Sequence, residues 1–291
     1  MPEPYDRLHG GLRTLVAMDA PAHDDLSLGT WRRDPGTVVR RAVSAGDPAP
    51  LAIVAESEVP GSATEWSPHA HPMHELVWVR GGTLTSRIGK RIYTVPPGWG
   101  LWLPAGVVHG GRLTAGAELH DAFFAPGRTP VEFAGPTSIT VTPLLESLLL
   151  RLARKDLDDG ARARTEAVVF DVLDPTDRQF ALELPGDPRI DPIAEALLDD
   201  PSDGRGLQDW AAELGMSDRT VTRAFRGATG LSFAQWRQAL RVHEALALLS
   251  AGVDVREVSE RLGYSQPSTF IAAFRRVMKV TPGAVAPTYR A

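Results

Sequence analysis

Between residues 51 and 135 the apolar positions come in short runs bounded by turn residues. Leu51-Ala52-Ile53-Val54-Ala55, Glu75-Leu76-Val77-Trp78-Val79 and Gly100-Leu101-Trp102-Leu103 have the length and composition of strands. Gly81-Gly82, Ile88-Gly89-Lys90, Pro96-Pro97-Gly98 and Ala105-Gly106 punctuate them, the rhythm of an antiparallel barrel or sandwich. The period then changes. Leu144, Leu145, Leu148, Leu149 and Leu152 recur at helical spacing, and Ala161 to Leu173 predicts a second helix. Asp174 to Pro192 holds four prolines and no period, which predicts a linker, and the chain beyond it reads as helical. The expected fold class is therefore α+β multidomain. An arm with the first strands covers 1–50, an antiparallel β-barrel 51–140, a helical pair 141–173, a linker 174–190 and an all-α domain 191–291.

Within the last segment one pattern occurs twice. Leu207 to Ser217 and Val255 to Ser265 each give a short amphipathic helix that ends at a glycine, Gly215 or Gly263. Glycine makes a left-handed turn sterically cheap there. Ser217 and Ser265 stand two residues later, placed to cap the next helix. That helix carries Ala224-Phe225-Arg226 in the first copy and Ala273-Phe274-Arg275 in the second. Ser232-Phe233-Ala234-Gln235 is a capping box, which opens a helix to about Ser250 with Phe233, Trp236, Leu240, Leu246 and Leu249 on its apolar side. Such a helix holds two helix-turn-helix units at a fixed separation, and recognition helices about 34 Å apart enter successive major grooves.

Residues 190–290 resemble the DNA-binding domain of the AraC/XylS family, on the strength of Gly263-Tyr264-Ser265, Phe270, Ala273-Phe274-Arg275-Arg276 and Thr281-Pro282. The resemblance implies a sequence-specific transcription regulator. By helical spacing Arg219, Thr222 and Arg223 project from the first recognition helix, while Val221 and Phe225 face inward. The second recognition helix departs from the family. Ile271 and Ala272 stand where relatives usually carry a polar residue and an arginine, leaving Gln266, Ser268 and Thr269 as its polar groups. That unit is expected to read less sequence, through thymine methyls and backbone.

A second motif lies in the barrel. His69, His71 and Glu75 fall at even offsets in His69-Ala70-His71-Pro72-Met73-His74-Glu75, so an extended chain puts all three on one face and His74 on the other. Gly98, Pro104, Gly106 and His109 follow. The spacing matches the two motifs of the cupin family, HxHxxxE and GxxxxxPxGxxH, and so resembles a cupin-type barrel. That resemblance implies that His69, His71, Glu75 and His109 converge on one divalent ion. Three imidazoles and a carboxylate suit Fe(II), Mn, Ni, Co or Zn, and affinity is expected to fall below about pH 6 as histidines protonate. Many cupins have Asn where this chain has Leu113, which argues against enzymatic activity. His120, on the next strand, reads as a pocket lining. Trp78, Trp99 and Trp102 read as barrel core or rim.

Composition narrows the partners. The chain of 291 residues has no cysteine, which excludes disulfides, thiolate zinc sites and cysteine nucleophiles. Its net charge is −5, but from Arg205 onward 12 Arg and Lys face 7 Asp and Glu, leaving +5 at the back and −10 in front. Met1 to Asp6 shows neither the basic start nor the apolar run of a secretory signal, so a soluble cytoplasmic protein without a membrane segment is expected. The leading reading is a regulator that binds a double-stranded operator and senses a divalent transition metal or a metal-bound small molecule. An alternative is the same regulator with a metal-free organic pocket. A cupin metalloenzyme fused to a DNA-binding domain is a further one. A homodimer is expected, with Leu144, Leu148 and Leu152 as a candidate dimer stripe, and contact with RNA polymerase if the protein activates.

Overall fold

A computed structural model describes residues 36–40, 52–131, 133–176 and 181–285. Strands β1 (Val38–Arg40), β3 (Thr64–His69), β8 (His109–Leu113), β5 (Leu84–Ile88), β6 (Arg91–Val95) and β11 (Ala181–Glu183) pair in that order in one sheet. Strands β10 (Thr137–Thr140), β7 (Trp99–Leu103), β4 (His74–Arg80), β9 (Glu118–Phe124) and β2 (Ile53–Glu58) form the other. Pairing is antiparallel except between β1 and β3. Of the arm read over 1–50, the described part is 36–40 and holds β1; the rest lies outside the described residues.

Alternation along the strands builds two cores. Val77, Val79, Leu101 and Leu119 of one sheet meet Leu84, Tyr93, Val95 and Leu113 of the other inside the barrel. Leu76, Trp78, Trp102 and Phe124 point outward, where helices α1 (Pro143–Leu152) and α2 (Asp159–Asp171) cover them. Thr142 caps α1 by accepting from Leu145 N at 3.2 Å, with Pro143 as its first residue. This entry turns Leu145, Leu149 and Leu152 onto the barrel. The stripe Leu144, Leu148, Leu152 is therefore not one free face. Eight residues rotate a helix by about 80°, so Leu144 is 54% exposed while Leu152 is buried in the barrel packing.

The C-terminal domain comprises α3 (Asp191–Asp199), α4 (Leu207–Glu213), α5 (Asp218–Thr229), α6 (Phe233–Ser250), α7 (Val255–Arg261) and α8 (Pro267–Met278). The capping box opens α6 as expected, with Ser232 N donating to Gln235 Oε1 at 3.0 Å. One half of α6 packs with α3, α4 and α5, through Trp236, Phe225 and Trp210. Its other half packs with α7 and α8, through Leu246, Phe270 and Phe274. Arg241 on α6 donates to the carbonyls of Pro201 (2.7 Å), Ser202 (3.3 Å) and Asp203 (3.1 Å) and so ties the α3–α4 loop to the middle of this helix.

The segment read as a linker is docked rather than free. β11 pairs with β6, and Leu182 and Leu184 enter the core of the first helical unit beside Ile92. Trp236 Nε1 donates to Glu183 O at 2.7 Å. A strand of three residues between prolines is too short to leave a period in the sequence. The barrel also meets α6 directly. Thr94 Oγ1 lies 2.8 Å from His243 Nδ1, and Thr83 Oγ1 donates to Leu246 O at 3.5 Å. Burial pushes the His243 imidazole down to about 4, with a hydrogen bond to the backbone of Ala181 opposing it.

Candidate metal centre and nucleic-acid interface

The HxHxxxE stretch is not one strand. β3 ends at His69, the chain turns over 70–73, and β4 starts at His74. Pro72 lacks the N–H a ladder needs. At the corner His71 O accepts from Gly106 N at 2.8 Å, which pins it to the loop before β8. The three residues meet because strand, turn and strand fold around one point. His109 arrives from β8, paired with His69 across a β-bulge. His74 points away as expected: its Nδ1 accepts from Ala105 N at 3.1 Å and its ring stacks on Trp102.

The ligand atoms offered by His69, His71 and His109 all lie within 4.8 Å of one another. Glu75 Oε2 stands 3.2 Å from His109 Nε2 and 3.5 Å from His71 Nε2. His69 Nδ1 lies 2.7 Å from Ser67 O, and His109 Nδ1 lies 3.0 Å from Val107 O. A carbonyl at Nδ1 fixes the tautomer and leaves the Nε2 lone pair free, the arrangement metal-bound histidines use. His71 Nδ1 is buried without a hydrogen-bond partner among the described residues, and buried Glu75 Oε2 faces the two imidazole Nε2 atoms. A buried carboxylate oxygen facing two imidazole nitrogens fits a cation between them. The donor set thus suits a divalent transition metal.

Electrostatics divides the cluster. Burial, then the charge of His109, lowers His69 to about 4. Burial also lowers His71, against the pull of Glu75. Burial acts on His109 too, but the hydrogen bond and charge of Glu75 outweigh it and raise its pKa. His109 is thus the one imidazole of these three whose pKa is raised. The sequence reading missed Asp121 on β9. Burial first, and then the charge and hydrogen bond of Glu75, raise its carboxyl well above the ordinary range. A carboxyl at an inward position between buried Leu119 and Phe123 was the available signal. His120 stays apart, its Nδ1 2.6 Å from Ser57 Oγ and its ring stacked on Trp78. Trp78 and Trp102 are buried, and Trp99 packs between the barrel and the second helical unit.

In the helical domain Gly215 and Gly263 both have positive φ, 64° and 72°. Ser217 caps α5, accepting from Thr220 N at 3.2 Å. Ser265 does not cap α8. Gln266 holds that position without a side-chain bond, and Pro267 follows it in the first turn, where its fixed φ suits the helix. Arg219 and Arg223 are exposed, Thr222 is half-buried, and Arg226 shares their face. Gln266, Ser268 and Thr269 are exposed on α8, alongside Ile271 and Ala272. Ser268, Ile271, Ala272, Arg275 and Arg276 line a shallow concavity of about 520 Å³ on this helix. No helix of the described residues is long and apolar enough to cross a membrane.

The AraC-like ligand binding domain matches residues 55–167, and a helix-turn-helix domain matches residues 210–287. The transcriptional regulator NimR of Escherichia coli K12 is 34% identical over 220 residues, 74% of this chain and 80% of that protein. RipA of Corynebacterium glutamicum, also an HTH-type transcriptional regulator, is 29% identical over 71% of this chain and 60% of its own length. Among solved structures, unsaturated fatty acid-bound ToxT from Vibrio cholerae aligns over 82% of this chain and 96% of that one, at 11% identity and a TM-score of 0.34.

Proposed function

The chain belongs to the AraC family of helix-turn-helix transcriptional regulators, and from that premise we propose that its ligand-binding domain is a metal-dependent sensor that sets how the C-terminal domain engages an operator. The observation that carries this reading is the convergence of three imidazoles, two with a backbone carbonyl at Nδ1, on a buried carboxylate oxygen. His69, His71, Glu75 and His109 would hold Fe(II), Mn, Ni, Co or Zn, and such an ion supplies a Lewis-acidic centre with positions open to an oxygen or nitrogen of an effector. Asp121 positions Glu75. Phe123, whose ring lies 5.1 Å from that of His71, walls the site.

The sheet order offers a route from sensor to helix. β3 and β8, which carry His69 and His109, lie next to β5 and β6, and β6 and β11 meet α6 through Thr94, Glu183 and Ile92. An effector that favours one seating of these strands biases the seating of α6, and with it both recognition helices. Arg219, Thr222 and Arg223 read bases from α5. α8 contributes Gln266, Ser268 and Thr269, with Ile271 and Ala272 against thymine methyls. Two copies pair on a repeated operator, with Leu144 as the exposed apolar contact on α1, and an activating complex would touch RNA polymerase.

Metal content tests the sensor. Protein purified without a His tag should carry about one equivalent of a transition metal, and His71→Ala/His109→Ala should carry none. An equal, trace content in both, persisting after reconstitution with each candidate ion, would overturn the metal reading and leave an organic-effector pocket.

A further inference from the structure

The first recognition helix borders the sensor across a cleft of about 480 Å³. Arg223, Ala224 and Gly227 of α5 form one wall; Lys90, Gly186 and Arg189 form the other. Lys90 occupies the turn between β5 and β6, and its side chain lies across Gly186. A Cβ on Gly186 would fall 2.5 Å from Lys90 Cε, and Lys90 Nζ donates to Gly186 O at 3.4 Å. Gly186, at a φ of 56°, thus both permits the turn and aims the ammonium into the cleft. Arg189 is held by Asp187, at 2.9 and 2.6 Å, so that pair is close to neutral. Arg223 makes no hydrogen bond or ion pair among the described residues. Lys90 from the sensor and Arg223 from α5 therefore face the same opening, beside the Asp187–Arg189 pair, and the charge of Lys90 also acts on Asp187 and Asp191.

We propose that this cleft takes a backbone phosphate of the operator, so that Lys90 makes the sensor domain part of the DNA interface. This rests on the DNA-binding reading of α5. Arg223 links the cleft to that reading, since it stands at the edge of the exposed face that also carries Arg219 and Arg226. A duplex lying on that face passes its backbone along the mouth of the cleft. Ala224 and Gly227 present almost no side chain, and Gly227 has open space where a Cβ would stand, so a sugar-phosphate strand can approach closely. The position also matters for control. β5 pairs with β8, whose first residue is His109, so the hairpin that carries Lys90 is one strand away from the sensing site.

The test is binding of the full chain to a mixed-sequence duplex, by fluorescence anisotropy, over roughly 50 to 200 mM NaCl. Wild type is compared with Lys90→Gln and with Lys155→Gln, a lysine in the turn between α1 and α2 on the sensor's far helices. Losing one phosphate contact should flatten the salt slope by about 0.9 and weaken binding about five-fold near 0.15 M salt. Lys155→Gln should match wild type. An unchanged slope in Lys90→Gln would overturn the proposal. Inorganic phosphate titrated into wild type and Lys90→Gln is the second arm: binding lost only in the variant, with DNA binding unaffected, would assign the cleft to a small anion and also overturn it. A wild type that binds no duplex at any salt would instead refute the DNA-binding reading itself.

Discussion

His243 makes the contact between the two domains sensitive to acid. Its ring is buried between Thr94 of the barrel and the backbone of Ala181, and its pKa falls from 6.5 to about 4. The docked protein therefore binds a proton less tightly than a chain in which His243 meets water. Protonation favours the undocked or unfolded state, so this contribution to stability is intact above about pH 6.5 and drains away as pH falls toward 4. A shift of this size corresponds to about 3 kcal/mol in full, of which about 2 kcal/mol is already lost at pH 5. His243→Gln keeps groups that can bond to Thr94 and Ala181 but cannot titrate. Urea unfolding of the full chain at pH 7.5 and pH 5 measures the difference. Wild type should lose about 2 kcal/mol more than His243→Gln across that interval. The other buried histidines titrate in both proteins and cancel. Equal losses in the two would refute the reasoning, because the pH dependence would then originate elsewhere.

Three further outcomes are expected. Gly263→Ala forces a φ of 72° on a residue with a Cβ and puts that Cβ 2.6 Å from Ser202 O, so thermal unfolding should show a loss of about 2 kcal/mol or more, whereas Gly252→Ala, with open space around it, should lose less. Replacing thymine by deoxyuridine in the half-site under α8 should weaken operator binding of wild type by about 1 kcal/mol per methyl, and Ile271→Ser should abolish that sensitivity; equal sensitivity in both would remove Ile271 from the interface. Leu149→Ala should cost about 2–5 kcal/mol of stability, while Leu144→Glu, on the exposed side of the same helix, should leave stability alone and shift sedimentation toward monomer.

Most of this architecture was legible in the sequence because its signals are local. Glycine, serine and the capping box Ser232–Gln235 mark helix ends within a few residues, and two copies of one pattern reinforce each other. The four histidine and carboxylate positions were legible for the same reason, although the corner at Pro72, rather than a single extended strand, brings them together. What escaped depends on contacts between distant segments. β11 is defined by its partner β6 and by Trp236, 53 residues from Glu183 in the chain, and neither is visible in Ala181-Leu182-Glu183. Asp121 owes part of its raised pKa to Glu75 on a neighbouring strand. The leucines of α1 were legible as a helix but not as a direction, because which side faces the barrel is set by the entry through Thr142 and Pro143.

Occupancy of the histidine cluster by a metal should change DNA binding. The direct measurement is the affinity of the full chain for an operator selected in vitro, metal-loaded and after chelation, at one pH and one salt concentration. A coupling free energy in the ordinary range predicts a change of about five-fold or more between the two states, lost in His71→Ala/His109→Ala. The same affinity with and without bound metal in wild type would contradict the account.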